Sequence, residues 1–209
     1  MLGTGSVRQR RGGVLASVKR EMRGALAGLQ VLLDALEDDA TSSDLRWRMR
    51  AHTRVLTRRL SLLSQDLHLV SDLDPHTPRL AHQDIDLQTM VAESAALFPD
   101  LQVHLECTPD LHVRGDARRL RQILGNLFSN AQRRGSRPLY LYAADEGRTM
   151  RLRVRDPGPW DGHQMFIVDV LVRAHGGRTS HDEISESLIL SLPRASSAVR
   201  PRPGLLPSA

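Results

Sequence analysis

Two long stretches of the chain space their apolar residues in alternating steps of three and four, the heptad spacing of paired helices. The first stretch places Leu15, Val18, Met22, Ala25, Leu29, Leu32 and Leu36 at these positions, and the second places Met49, Thr53, Leu56, Leu60, Leu63, Leu67 and Val70 there. A short polar run separates the two stretches. The spacing therefore predicts an antiparallel helical hairpin over residues 14–74.

The apolar stripe of this hairpin is wider than a two-helix seam needs, because four more apolar residues flank it: Leu26, Leu33, Val55 and Leu62. Pairing two hairpins into a four-helix bundle would bury them, so we expect a homodimer. The alternative is a hairpin that packs only on the rest of its own chain.

The remainder of the chain divides by composition. Residues 1–13 are basic and contain the Gly12-Gly13 pair, so we expect a flexible tail there. Residues 79–194 alternate short strand-like runs with helical ones, which predicts a second domain of mixed α and β structure. Residues 195–209 are rich in Ser and Pro and are expected to be a disordered tail.

Composition restricts the location and the kind of site. No run approaches the roughly 20 apolar residues that cross a bilayer, and the start of the chain lacks a signal-peptide pattern, so we expect a cytoplasmic protein with no membrane segment. Cys107 is the single cysteine, which excludes a disulfide within the chain. We expect it to be a buried structural thiol in a strand rather than a metal ligand.

The net charge of +5 comes almost wholly from arginine, since Lys19 is the only lysine. The arginines are spread over every predicted helix, and the few aromatic residues are not interleaved with them as in an RNA-stacking platform. We therefore expect no nucleic-acid partner. A nucleic-acid binder that uses the arginine surplus stays open as an alternative.

Residues 20–26 (Arg-Glu-Met-Arg-Gly-Ala-Leu) resemble the H-box of sensor histidine kinases, in which His-Glu-Leu-Arg-Thr-Pro-Leu opens the phosphoacceptor helix. Arg20 stands where that family has its phosphoacceptor histidine. A guanidinium keeps its charge near neutral pH and cannot serve as the phosphoryl-accepting nucleophile. The heptad places Arg20 on the outer, solvent-exposed face of the first helix, and neither His52 nor His68 is well placed to replace the missing histidine.

The segment 114–131 is similar to the N-box helix of the ATP-binding domain of these kinases and of their gyrase, chaperone and mismatch-repair relatives, the GHKL group. Asp116 is suited to cap this helix. The spacing of Asn126, Asn130 and Arg133 puts them on one helical face, opposite the apolar stripe. The resemblance implies a nucleotide site on that face, with Asn130 as a candidate magnesium ligand.

Two further segments resemble nucleotide-binding motifs in degraded form. Residues 156–160 (Asp-Pro-Gly-Pro-Trp) resemble the G1 box, Asp-x-Gly-x-Gly: Asp156 and Gly158 match, but Trp160 replaces the second glycine. The helix over residues 163–175 ends in the Ala-His-Gly-Gly of the family's last helix, where the two glycines are expected to be a C-cap and turn.

The start of that last helix has lost most of its phosphate-binding sequence. Of the family's glycine-rich cradle only Gly162 remains. The F-box and the mobile lid are absent, because Trp160 and Gly162 are almost adjacent. We expect no bound cofactor, and ATP with magnesium only if the degenerate site still binds.

The resemblance covers residues 14–194 and implies an α+β fold, a two-helix dimerisation hairpin followed by a GHKL (Bergerat-like) α/β sandwich with helices on one face of a mixed sheet. The leading hypothesis is a non-catalytic scaffold of a two-component system. Its partner would be a response-regulator receiver domain or another histidine kinase, bound through Arg20, Glu21, Arg23 and the second helix.

An enzyme of the same system is the principal alternative. It would be a residual kinase, or a phosphatase in which Glu21 holds a water near a phosphoaspartate. The retained Asn126, Asn130 and Asp156 favour this alternative.

Overall fold

The computed structural model describes residues 4–37, 42–72, 79–135, 138–155 and 162–195, with side chains from Gly12 onward and without the side chain of Asp72. Two long helices come first, α1 over Thr4–Glu37 and α2 over Ser43–Asp72. Every residue of the predicted seam is buried or half-buried. Val18 and Val70 are fully buried, which confirms the predicted hairpin.

Helix α1 begins earlier than the sequence predicts, so the expected flexible tail is wrong for residues 4–13. The Gly12-Gly13 pair suggested a break. A glycine in a helix interior costs only about 1 kcal/mol relative to alanine, however, and does not forbid the helix. Val14, next along α1, is buried and anchors this end of the helix.

The second part of the chain is an α/β sandwich. Its strands are β1 (Gln83–Asp86), β2 (Val103–Cys107), β3 (His112–Gly115), β4 (Leu139–Asp145), β5 (Thr149–Arg155), β6 (Arg178–Asp182) and β7 (Ser187–Pro193). Its helices are α3 (Leu87–Ala95), α4 (Ala117–Arg133) and α5 (Gly162–Ala174). A mixed five-stranded sheet runs β2-β4-β5-β7-β6, in which only the β2–β4 pair is parallel, and β1 pairs with β3 in a small antiparallel sheet.

Side chains alternate between the two faces of the sheet along each strand, and the apolar side chains of one face form the core. Leu141, Leu152 and Leu190 come from three neighbouring strands and point to the same face of the sheet, where α3, α4 and α5 cover them. Phe98 and Phe128 meet edge to face in this core. The predicted α+β fold is therefore confirmed.

Two smaller expectations need correction. Cys107 ends β2 and is half-buried rather than buried, and its partial burial raises the pKa of the thiol. Ala195, the first residue of the predicted C-terminal tail, is buried, and its backbone N–H donates to the carbonyl of His112 at 3.2 Å. Residues 196–209 lie outside the described part of the chain.

Among the described residues, no helix is both long and apolar enough to cross a membrane.

Candidate functional site at the junction of the hairpin and the sandwich

Helix α4 provides the floor of the site, and its start is built as the sequence predicts. Asp116 is the N-cap: its Oδ1 accepts from the backbone N–H of Arg119 at 3.1 Å, and its Oδ2 accepts from that of Ala81 at 3.0 Å. Burial alone would raise the pKa of Asp116, but these backbone hydrogen bonds outweigh it and lower the pKa. The apolar stripe of α4 is buried against the sheet.

The opposite, polar face of α4 is also buried, because the helical hairpin packs on it. A Cβ added to Gly125 would lie 2.7 Å from Leu62 of α2, so the two helices approach closely at this point. Asn126 is only 2% exposed, and its Nδ2 donates to Oδ1 of Asp66 in α2 at 3.2 Å. Gln122 donates to the same oxygen at 2.7 Å.

Asn130 and Arg133 continue this face one and two turns further on. Arg133 donates from Nη2 to Oδ1 of Asn130 at 3.2 Å and to Oε1 of Gln164 in α5 at 2.8 Å. Nδ2 of Asn130 is buried and has no hydrogen-bond partner among the described residues. The three predicted residues therefore share a face, and Arg133 ties that face to α5.

Glu21 joins the hairpin to the sandwich. Arg59 donates from Nη2 to Glu21 Oε2 at 2.6 Å, and Nδ1 of the buried His163 lies 3.0 Å from Glu21 Oε1. Nη1 of Arg133 lies 3.8 Å from Oε2. We call these four residues, Glu21, Arg59, Arg133 and His163, the junction cluster. They come from α1, α2, α4 and α5, so the cluster holds one residue from each helix that meets at the junction.

The pKa values of the two carboxyl groups at the junction are shifted in opposite directions. Burial raises the pKa of Glu21, but the hydrogen bonds and charges of His163 and Arg59 outweigh it and lower the pKa to about 2. At Asp66 burial dominates and raises the pKa, although hydrogen bonds from Gln122 and Asn126 oppose it. Glu21 is consequently ionised at neutral pH. The burial of Asp66, in contrast, disfavours its ionised form.

The remaining predicted residues lie apart from this cluster. Arg20 and Arg23 are exposed on α1, as the heptad predicts, while Glu21 between them turns toward α5. His52 and His68 are exposed on α2. Gly162 is the exposed first residue of α5. Asp156, Gly158 and Trp160 lie outside the described residues.

The Ala-His-Gly-Gly segment has a structural role. Gly176, at φ +77°, and Gly177 close α5: Gly176 donates to the carbonyl of Arg173 and Gly177 to that of Val172, both at 2.9 Å, as expected of a C-cap. His175 is buried, with Nδ1 at 2.6 Å from the Leu171 carbonyl and Nε2 accepting from the Asp116 N–H at 3.1 Å. Burial lowers the pKa of His175.

Curated relatives of the chain are sensor kinases. It is 29% identical over 158 residues to the signal transduction histidine-protein kinase AfsQ2 of Streptomyces coelicolor, covering 69% of this chain and 29% of that protein. It is 30% identical over 145 residues to the sensor protein CseC of Streptomyces avermitilis, covering 69% of this chain and 28% of that protein. The chain thus spans less than a third of these relatives' length. No protein-family model matches it.

Solved structures agree on the fold. The histidine kinase AdeS of Acinetobacter baumannii superposes with a TM-score of 0.59 at 20% identity, over 84% of this chain and 98% of that one. Histidine kinase ThkA, in its complex with the response regulator protein TrrA, superposes with a TM-score of 0.54 at 19% identity, over 90% of this chain and 65% of that one. This chain is a homologue of sensor histidine kinases and shares the histidine-kinase fold.

The residues present at the histidine-kinase nucleotide face do not fit magnesium and ATP. The oxygen of Asn130, which would bind magnesium, already accepts from a guanidinium whose permanent charge repels a divalent cation. The carboxamide nitrogen of Asn126 is bonded to Asp66 of the hairpin. The described residues contain no group of three His, Cys, Asp or Glu side chains suited to a metal ion.

The sequence did not reveal Arg59, Asp66, His163 and Gln164 as junction residues. One signal was available: Asp66 follows Leu63 by three residues and precedes Val70 by four, so a carboxylate interrupts the apolar stripe of α2. The others look like ordinary helical residues, and only the packing of four helices brings them together.

Proposed function

We propose that this chain is a non-catalytic signalling module of a two-component system, which forms a homodimer through its hairpin and binds a response-regulator receiver domain. The main support for this proposal is the position and chemistry of Arg20. It is exposed on α1 at the position of the family's phosphoacceptor, and a guanidinium cannot accept a phosphoryl group as an imidazole does.

The nucleotide face supports the same conclusion. Asn126 and Asn130 bond to Asp66 and Arg133, and the segment between β5 and α5 holds only residues 156–161, too few for a lid. ATP with magnesium is therefore not expected to bind tightly, and the chain needs no cofactor for a scaffold role.

The geometry argues against the enzymatic alternative. A phosphatase would use Glu21 to hold and polarise a water. Glu21 instead bonds to Arg59 and His163, and its pKa of about 2 makes it a weak base.

Arg20 and Arg23 remain available for a partner. Receiver domains present an acidic cluster around their phosphorylated aspartate, and two exposed guanidinium groups on one helix match that charge. The complex of ThkA with TrrA shows that a protein of this fold binds a response regulator.

Binding of purified receiver domains from the source organism, measured by biolayer interferometry, tests this proposal. Arg20→Ala and Arg23→Ala should each slow association and reduce its salt sensitivity, since charges at the rim of an interface act mainly on the association rate. Arg148→Ala, at an exposed turn of the sandwich, is the matched control and should bind like the wild type. The proposal fails if no receiver domain binds, or if Arg20→Ala and Arg148→Ala behave alike.

A further inference from the structure

The sheet has a second face, turned away from the helices and the hairpin. Leu141 and Leu152 point into the core, so the residues on either side of them along β4 and β5 point outward. On β4 these outward residues are Tyr140 and Tyr142, which are the only two tyrosines of the chain. On β5 they are Arg151, Arg153 and Arg155.

Aromatic rings gather at one side of this outer face. His104 on β2 pairs in register with Tyr140 on β4, and their rings are stacked, with centroids 5.0 Å apart and planes at 17°. Tyr140 is 38% exposed, and Tyr142 lies two residues along the same strand. The stacked His104–Tyr140 pair and the half-buried Tyr142 therefore lie in one strip along this face, and Tyr140 is its exposed ring.

The arginines of β5 lie directly beside this strip. The register pairs Tyr140 with Arg155 and Tyr142 with Arg153. Outward residues of a strand repeat every ~7 Å along the backbone, so Arg151, Arg153 and Arg155 lie in one row along β5. Arg178 extends the basic surface to the edge strand β6.

Only part of this positive charge is neutralised. Among the described residues, Arg155 and Arg178 form no ion pair, whereas Arg151 pairs with Glu146 at 3.0 Å. Two acids share the face, Glu106 and Asp182. The Asp182 carboxylate accepts from the Ser185 hydroxyl at 2.6 Å, and this hydrogen bond together with the nearby charge of Arg153 lowers its pKa. Counting Glu146, three acids therefore face four arginines, and Arg155 carries its charge beside the rings.

We propose that this outer sheet face binds single-stranded nucleic acid. Unpaired bases would stack on Tyr140 and Tyr142, and the phosphates would contact Arg153, Arg155 and Arg178. A single strand fits better than a duplex because the exposed rings need free base faces. The surface lies on the opposite side of the sheet from the hairpin, so it is independent of the proposed receiver-domain contact.

Sequence order conceals this surface. Tyr140 and Arg155 are fifteen positions apart, and His104 is further still, so neither aromatic interleaving nor a basic motif is visible along the chain. Pairing of β2, β4 and β5 brings the three residues into a single row. The sequence-based expectation of no nucleic-acid partner considered only linear spacing.

Fluorescence anisotropy with labelled oligouridine RNA and oligothymidine DNA of about 15 nucleotides tests the proposal. Saturable binding that weakens at least tenfold between about 50 and about 200 mM salt is expected. The RNA and DNA probes show which strand is preferred, and binding of either supports the proposal. A matched duplex should bind more weakly than its single strand.

Two double variants with the same change in net charge distinguish binding at this face from a general effect of the protein's positive charge. Arg153→Glu with Arg155→Glu should weaken binding at least tenfold. Arg48→Glu with Arg50→Glu, on the exposed side of α2, changes the net charge equally and should weaken it less than threefold. Arg178→Glu, on the edge strand, gives a further test if the β5 pair fails to fold, as judged by thermal melting.

Ring variants test stacking without changing charge. Tyr140→Ala should weaken binding about tenfold, whereas Tyr140→Phe keeps the ring and should bind like the wild type. The proposal is overturned by the absence of saturable binding, by equal losses in the two charge-swapped pairs, or by a Tyr140→Ala variant that binds normally. It is also overturned if the β5 pair abolishes binding of a receiver domain while no oligonucleotide binds.

Discussion

At the scale of single residues, two neighbours on α1 have opposite surroundings. Arg20 faces solvent, while Glu21 bonds to Arg59 and His163 across the junction. Where the H-box that this segment resembles has a histidine and a glutamate, this chain has an exposed cation and a carboxylate that joins the hairpin to the sandwich. The glutamate is thus retained at its position and has a structural contact there.

Replacing Glu21 by Gln should destabilise the protein by roughly 2 kcal/mol at pH 7, because it removes charge-assisted hydrogen bonds and leaves Arg59 without its anion. Urea unfolding measures this loss. Glu93→Gln is the control: Glu93 pairs with Arg121 in solvent, both about half exposed, and its loss should cost less than about 1 kcal/mol. Equal effects of the two variants would contradict a structural junction.

The pH dependence of the free energy of unfolding tests how Glu21 contributes to stability. Its folded pKa, about 2, lies below the ordinary value of 4.5, so its stabilisation is fully present above pH 4.5 and is lost as the pH falls toward 2. The stability difference between the wild type and Glu21→Gln should therefore shrink between pH 4.5 and 2. A difference that stays constant over this window would show that the lowered pKa is wrong.

Asp66 should behave in the opposite sense. Burial raises its pKa, so the folded protein binds a proton more tightly than the unfolded chain, and the ionised carboxylate lowers stability at neutral pH. Asp66→Asn keeps an oxygen that can accept from Gln122 and Asn126. This variant should be at least as stable as the wild type at pH 8. A clear loss of stability at pH 8 would mean that the ionised form is needed.

At the scale of elements, local signals predicted most of the helices and strands but not their surroundings. The Asp116 cap and the apolar stripe of α4 are local, so the sequence placed that helix correctly. The resemblance implies a degenerate nucleotide site on the polar face of the same helix, and nothing in the local sequence shows that Asp66 and Leu62 of α2 cover that face. The start of α1 was misplaced because glycine propensity is weaker than helix continuation and packing.

Two glycines test the packing of individual elements. A Cβ on Gly177 would lie 2.2 Å from the carbonyl oxygen of Ser191, a backbone atom of β7, so Gly177→Ala should cost about 2 kcal/mol or more. Gly24 lies in the interior of α1 with nothing within 4 Å of an added Cβ. Gly24→Ala should therefore stabilise by about 1 kcal/mol. Urea unfolding measures both changes in the free energy of unfolding. Changes of the same sign for the two variants would contradict the described contacts.

At the scale of the whole molecule, the hairpin leaves large apolar side chains exposed toward its tip. Val31 and Leu33 on α1 are 67% and 51% exposed, and Leu45 and Trp47 on α2 are 45% and 72% exposed. A homodimer through these helices would bury them, which is the reason for the proposed four-helix bundle.

Light scattering should show a dimer at micromolar concentration. Val31→Glu combined with Trp47→Glu should give a monomer, because two charges would be buried in the bundle. Ile184→Glu is the control, since Ile184 is 97% exposed in a turn of the sandwich and should not affect assembly. A wild-type monomer, or a double variant that remains dimeric, would exclude this interface.

The chain keeps the histidine-kinase fold, and we propose that the polar face of α4 binds the hairpin instead of a nucleotide. Restoring the phosphoacceptor tests this proposal most directly. The Arg20→His variant, whose surface position should leave folding unchanged within roughly 0.5 kcal/mol, is incubated with magnesium and γ-labelled ATP. We expect no acid-labile phosphate on the protein, because Asn126 and Asn130 are already bonded to Asp66 and Arg133. Acid-labile, alkali-stable label on Arg20→His would contradict it and show a working nucleotide site that lacks only its acceptor.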